Sequence, residues 1–174
     1  MLPIVSIVGK SQSGKTVLME QLIAEFKRRG YKVAALKHNH HGTVEIDRPG
    51  KDTWKFARAG ADAVLVSSPN KLAFIENLNH DFIFEEIMPI VGPGFDLVLA
   101  EGFRRSKSTR KIEVHRKKLG DDLLCYPEEL SAIVTDEPLD IEVTQLPWGD
   151  TVAIANFIEN NFVKAASSEE KCSP

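Results

Sequence analysis

The chain is 174 residues long, 43% hydrophobic and 27% charged, a balance that suits one globular domain with a buried core. A formal charge of −3 argues against broad binding to nucleic acid, and none is expected as a partner. Cys125 and Cys172 lie far apart and make neither a disulfide framework nor a metal-type spacing.

The opening, MLPIVSIVGK, carries no basic leader or cleavage site and is too short to span a bilayer, so a cytoplasmic protein with no membrane partner is expected. Leu2 to Val8 is a β-branched apolar run that predicts a buried strand entering a loop. From Lys15, apolar residues recur at helical spacing through Phe26; basic residues fill the last turn, and Gly30 is the stop. Val33 to Leu36 predicts a second strand. Asp52 or Thr53 caps a helix through Ala59. ADAVLVS and LAFIE read as two further strands, and Phe82 to Met88 as a helix stopped near Pro89. FDLVLAEG, KIEVH and LSAIVTD follow as strands, and Asp150 or Thr151 caps a closing helix. This alternation predicts a doubly wound α/β fold, a mostly parallel sheet with helices on both faces, in one domain over 1–164 followed by a polar tail, 165–174; a glycine-rich GKSQSGKT loop after the first strand makes that fold P-loop NTPase-like.

Between the first strand and first helix lies GKSQSGKT, which satisfies G-x-x-x-x-G-K-[ST] in the strand–loop–helix context that the motif needs. Gly9, Lys10, Ser11, Gln12, Ser13, Gly14, Lys15 and Thr16 would wrap backbone amides around phosphate oxygens at a helix N-terminus. Lys15 would reach the β- and γ-phosphates, and the Thr16 hydroxyl would ligate Mg²⁺. A second carboxylate is needed at the carboxyl end of a buried strand. Glu101 ends DLVLAE there, whereas Asp96 starts it on the wrong side of the sheet. For the base, Asn70-Lys71 is followed by Leu72-Ala73 and lacks the aspartate of a guanine motif. Asp136, ending SAIVTD, has the position to replace it; an aspartate in a turn before Pro138 is the other reading.

The P-loop, LKHNHH, DRPGKDTW, RAGA, DLVLAEGFR and AIVTD, in that order, resemble the molybdopterin-guanine dinucleotide biosynthesis protein B family, MobB, from about Pro3 to Phe162. The resemblance implies a dimeric GTP-binding accessory protein with weak GTPase activity and Mg²⁺ as its cofactor. Its partners would be a MobA-type molybdopterin guanylyltransferase and molybdopterin or molybdenum cofactor. Family members assist attachment of GMP to molybdopterin and are not the transferase. Carried over, Gly9 to Thr16 would hold phosphates, Glu101 would serve the magnesium site, and Asp136 would contact guanine. His38, His40, His41, Asp47, Gly50, Lys51 and Asp52 fall on the family's second segment, and Gly102, Phe103 and Arg104 on its third. Lys10 also stands where dimeric partitioning ATPases place a lysine reaching the partner's nucleotide, although a solvated lysine is the plainer reading.

The loop KHNHHGTVEIDRPGKD has three readings: a metal site of His38, His40 and His41; a solvated loop; or an anion-binding switch. The third is favoured because it puts Lys37, Lys51 and the histidines on phosphate or pterin-phosphate oxygens, with Asp47 or Asp52 at the magnesium shell or the attacking water. GFRRSKSTRK, with five basic residues and no acidic one, is either a second anion-binding rim or a solvated loop. No arginine finger is identifiable, so slow hydrolysis is expected. The rivals are a small-molecule kinase with Asp47 as base, and a metallochaperone GTPase using the histidines.

Overall fold

The computed structural model describes residues 2–39, 47–76, 80, 84–91 and 94–166. In chain order the elements are β1 (Ile4–Val8), α1 (Lys15–Arg28), β2 (Val33–Lys37), α2 (Asp52–Arg58), β3 (Ala63–Ser68), β4 (Lys71–Glu76), α3 (Phe84–Val91), β5 (Leu97–Glu101), β6 (Arg110–His115), β7 (Leu130–Thr135), β8 (Gln145–Pro147) and α4 (Thr151–Ile158). The chain divides into two compact units, Met1–His38 with Phe84–Pro174, and Asn39–Ile83. A single unit over 1–164 is what the sequence suggests, because the second unit is inserted between a strand and a helix with no Gly/Pro/Ser-rich linker to mark it. The polar tail from 167 onward lies outside the described residues.

In the first unit six strands run parallel in the order β2-β5-β1-β6-β7-β8. Side chains alternate between the two faces. Val5 and Ile7, Leu97 and Leu99, Ile112 and Val114, with Ala132 and Val134, meet Leu18, Leu22 and Phe26 of α1 and Ile154 and Ile158 of α4. Each large side chain buried there stabilises the fold by about 1.5–3 kcal/mol. On the other face Val98, Ala100 and Phe103 pack with Ile87, Met88 and Val91 of α3. Helices therefore cover both faces, as the strand–helix alternation predicts. α3 runs through Pro89, not stopping there. Proline removes one helical hydrogen bond, and the contacts of Ile87, Met88 and Val91 with the sheet offset that loss.

The order places β1 between β5 and β6, where the connections leave toward opposite edges of the sheet. Parallel sheets bind ligands at such a switch point, beyond the carboxyl ends of the strands.

The central strand β6 has an unusual second face. Ile112 and Val114 join the helix layer, yet Lys111, Glu113 and His115 are buried too. Buried polar groups need partners. The segment after β6 supplies them: Glu113 accepts from the Leu124 and Cys125 amides at 2.7 and 3.0 Å, and Lys111 Nζ donates to Glu129 at 2.9 Å. His115 Nε2 donates to Gly120 O at 3.0 Å, whereas its buried Nδ1 has no hydrogen-bond partner among the described residues.

In the second unit β3 and β4 form an antiparallel hairpin of their own, separate from the parallel sheet. Asp52 opens α2 and Lys51 is its N-cap residue, without a side-chain cap, so neither Asp52 nor Thr53 caps that helix. Asp150 does cap α4, accepting from the Ala153 amide at 2.9 Å. Among the described residues no helix is long and apolar enough to cross a membrane.

Candidate functional site

The phosphate-loop motif occupies the turn from β1 into α1, at the switch point. Gln12 takes φ +62°, and Gly14, the residue before α1, takes φ +98°. Gly14 is required twice over. A Cβ there would strain the backbone and would come within 2.3 Å of Trp148 Cη2. Ser13 is buried, and its Oγ has no hydrogen-bond partner among the described residues. Ser11 and Gln12 are exposed at the loop's tip.

Lys15, the first residue of α1, folds back so that Nζ donates to Gly9 O at 2.9 Å and Lys10 O at 2.7 Å. Burial holds its pKa below the usual lysine value; the Glu101 carboxylate opposes that shift and Lys37 adds to it. Lys10 Nζ donates to Leu119 O of the same chain at 3.1 Å. The loop's two lysines thus have different anchors, one on the loop itself and one on the segment after β6.

Thr16 Oγ1 donates to Glu101 Oε2 at 3.0 Å, and Lys37 Nζ lies 3.2 Å from Glu101 Oε1. The parallel register explains the meeting. Ile7 pairs with Glu101, and Glu101 with Lys37, so the ends of β1, β5 and β2 are level. A hydroxyl and a carboxylate oxygen are the hard donors that Mg²⁺ takes alongside phosphate and water. The unpartnered Ser13 Oγ is a further polar atom in the same loop.

His38 continues this edge. Its amide donates to Glu101 O at 3.0 Å, and its ring lies 4.7 Å from that of Phe103. Gly102 keeps the two segments close, since a Cβ there would sit 3.3 Å from His38 Cβ. Phe103 has φ +55° and is buried, whereas Arg104 is exposed and contributes charge near Cys125 and Glu129.

Lys37, His38, Glu101 and Gly102 therefore join the phosphate loop at one sheet edge. His40 and His41 lie outside the described residues. Asp47, Gly50, Lys51 and Asp52 belong to the second unit. Within it Asp47 Oδ1 accepts from the Arg48 amide at 2.8 Å, Lys51 precedes α2, and Asp52 pairs with Lys55 at 3.0 Å. Among the described residues no group of three or more His, Cys, Asp or Glu side chains forms a metal site.

Asp136 is placed at the end of β7, with both carboxylate oxygens engaged. Oδ2 accepts from Arg116 Nε at 2.7 Å and Oδ1 from the Lys117 amide at 3.0 Å. The Arg116 bond, then the Lys117 amide, hold its pKa below the usual carboxylate range. Arg116 in turn lies over the Trp148 ring, 4.4 Å from its centroid. Sequence reasoning missed Arg116 and Trp148. Their only signals are position: Arg116 directly follows a buried strand, and Trp148 sits two residues before the Asp150 cap.

The family model described as MobB, molybdopterin guanine dinucleotide synthesis protein B, matches residues 4–136. The chain belongs to the MobB family. MobB relatives include the molybdopterin-guanine dinucleotide biosynthesis adapter proteins of Haemophilus influenzae and Escherichia coli. The first is 34% identical over 91% of this chain and 89% of its own length. The second is 30% identical over 91% of this chain and 92% of its own length. A crystal structure of a molybdopterin-guanine biosynthesis protein B superposes with TM-score 0.69 at 30% identity, covering 90% of this chain and 98% of that one. Bacillus subtilis MobB, at 23% identity and TM-score 0.74 over 92% of this chain and 98% of its own, is alike in fold. The P-loop NTPase-like fold expected of a MobB protein is thus the fold observed.

Proposed function

We propose that this protein is a GTP-binding adapter in the formation of molybdopterin guanine dinucleotide. It would assist a MobA-type guanylyltransferase that joins GMP to molybdopterin, and would hydrolyse GTP slowly without performing that transfer. The 3.0 Å contact between Thr16 and Glu101 carries the nucleotide part of this reading. It sets a hydroxyl and a carboxylate together beside a loop whose motif and backbone suit a triphosphate. The adapter role follows that of the relatives in Haemophilus influenzae and Escherichia coli, both named molybdopterin-guanine dinucleotide biosynthesis adapter proteins.

Thr16 and Glu101 would hold Mg²⁺, whose chemistry is to neutralise charge on the β- and γ-phosphate oxygens. Lys15 would exchange the Gly9 and Lys10 carbonyls for phosphate oxygens, and its charged form would regain the partner that burial withholds. Lys37, already beside Glu101, would moderate the charge at that end of β5. Asp136 would recognise guanine. A homodimer is favoured by the hairpin of the second unit, where Leu65, Leu72 and Phe74 share one exposed face.

Calorimetric titration of the folded protein with Mg²⁺–GTP and Mg²⁺–ATP, repeated on Lys15→Ala, tests this. GTP uptake that is lost in the variant supports it. Uptake of neither nucleotide overturns it, and a wide preference for ATP removes the guanine assignment.

A further inference from the structure

Three residues from separate strand ends form a connected stack beside the phosphate loop. Trp148, after β8, presses against Gly14, close enough that a Cβ at Gly14 would come within 2.3 Å of the indole. Arg116, after β6, covers the Trp148 ring at 4.4 Å. Asp136, after β7, accepts from Arg116 Nε at 2.7 Å. The Arg116 side chain is 19% exposed and that of Asp136 27%, so the stack stands at the surface rim.

A guanidinium is a planar π-system with N–H donors along its edge. The N1–C2–N2 edge of guanine has the same N–C–N donor arrangement on a flat ring. The two groups that hold Arg116, an aromatic face and a carboxylate, are the two that a guanine base would use: one to stack on and one to accept its N–H donors.

We propose that Arg116 is an internal stand-in for guanine. It occupies the base subsite of the nucleotide site in the free protein, and the base displaces it from Trp148 and from Asp136 Oδ2 on binding. Asp136 Oδ1 keeps the Lys117 amide throughout, which holds the carboxylate in place for the exchange. The proposal rests on the phosphate-loop reading and adds its base subsite: Trp148 as stacking platform and Arg116 as a competing side chain that lowers nucleotide affinity. Adenine lacks the paired N–H edge, so it replaces only the stacking half of what Arg116 contributes.

The experiment uses the full chain carrying Trp54→Phe, which leaves Trp148 as its sole tryptophan. The probes are Mg²⁺–GTP, Mg²⁺–ATP and magnesium tripolyphosphate, followed by calorimetry and by indole emission. GTP is expected to change Trp148 emission in a way that tripolyphosphate does not. Adding Arg116→Ala should tighten GTP binding by about tenfold. Tripolyphosphate affinity should stay within about twofold. Arg116→Lys, which keeps the charge and loses the planar stack, should fall between. Equal emission changes with GTP and tripolyphosphate, or a GTP affinity that is unchanged or weakened in Arg116→Ala, overturn the proposal. If folded protein takes up none of the three probes, the phosphate-loop reading fails, and the base subsite with it.

Discussion

Thr16 and Glu101, 85 residues apart in the chain, meet through a 3.0 Å hydrogen bond from Oγ1 to Oε2. The bond joins the first turn of α1 to the end of β5, and Lys37 at the end of β2 closes on the same carboxylate. Three elements thus converge on one acidic group beside the phosphate loop.

Glu101→Gln keeps the side chain's shape and removes its charge. The Mg²⁺ dependence of GTP binding is expected to fall by about tenfold or more, with little change in metal-free affinity. Paired titrations with and without Mg²⁺ read this directly. An equal loss in both would assign Glu101 a purely structural part.

Gly14→Ala meets two obstacles, the left-handed backbone at φ +98° and the Trp148 ring. The backbone alone costs about 1–2 kcal/mol. Displacing the indole adds to that, so thermal unfolding should shift down by roughly 5 °C or more. In the Trp148→Leu background the same substitution should cost less, because only the backbone penalty remains. An undiminished cost there would show that the indole does not constrain Gly14.

Cys125 is 5% exposed, and burial, reinforced by Glu113, pushes its thiol from 9.0 up to about 11. A folded-state value above the unfolded one favours the protonated thiol. Its stabilising contribution is therefore complete below about pH 9 and is lost as pH rises toward about 11. The loss over that window is on the order of 2 kcal/mol. Urea unfolding near pH 8 and near pH 10.5 should show a smaller decline for Cys125→Ala than for the parent. Identical slopes would contradict the burial argument.

On the β3–β4 hairpin, Leu65 pairs with Phe74 and Ser67 with Leu72, placing three large apolar side chains on one face. They are 63%, 43% and 72% exposed for Leu65, Phe74 and Leu72 respectively. The double variant Leu72→Ser/Phe74→Ser is expected to weaken self-association by on the order of 100-fold. Sedimentation at micromolar protein should then report a monomer where the parent is a dimer. A parent that is itself monomeric would remove the homodimer from the proposed function.

Much of the parallel framework was legible, because buried strands in such sheets are continuous apolar runs and the intervening helices carry their own stop and cap residues. Gly30 follows α1, and Asp150 caps α4 as its sequence position suggests. Pairing was less legible. Nothing in ADAVLVS or LAFIE states that these strands bond to each other and not to the main sheet, since a strand's pattern gives its faces and not its neighbours. β8 is only three residues long, too short for periodicity to register. KIEVH looks half-exposed because Lys111, Glu113 and His115 alternate with apolar residues. The later segment that supplies partners to Lys111, Glu113 and His115 Nε2 is identifiable only in three dimensions.

By itself the sequence determined the phosphate-loop motif, the strand–helix alternation and the strand-end position of Glu101, because each is a local pattern: a spacing of residue types, a period, a boundary. Only the tertiary structure decided that Lys37 reaches Glu101, that Lys10 is held by Leu119 O, and that Trp148, Arg116 and Asp136 assemble beside Gly14. Those meetings depend on strand order and register, which are set by how whole faces pack and not by any contiguous run of residues.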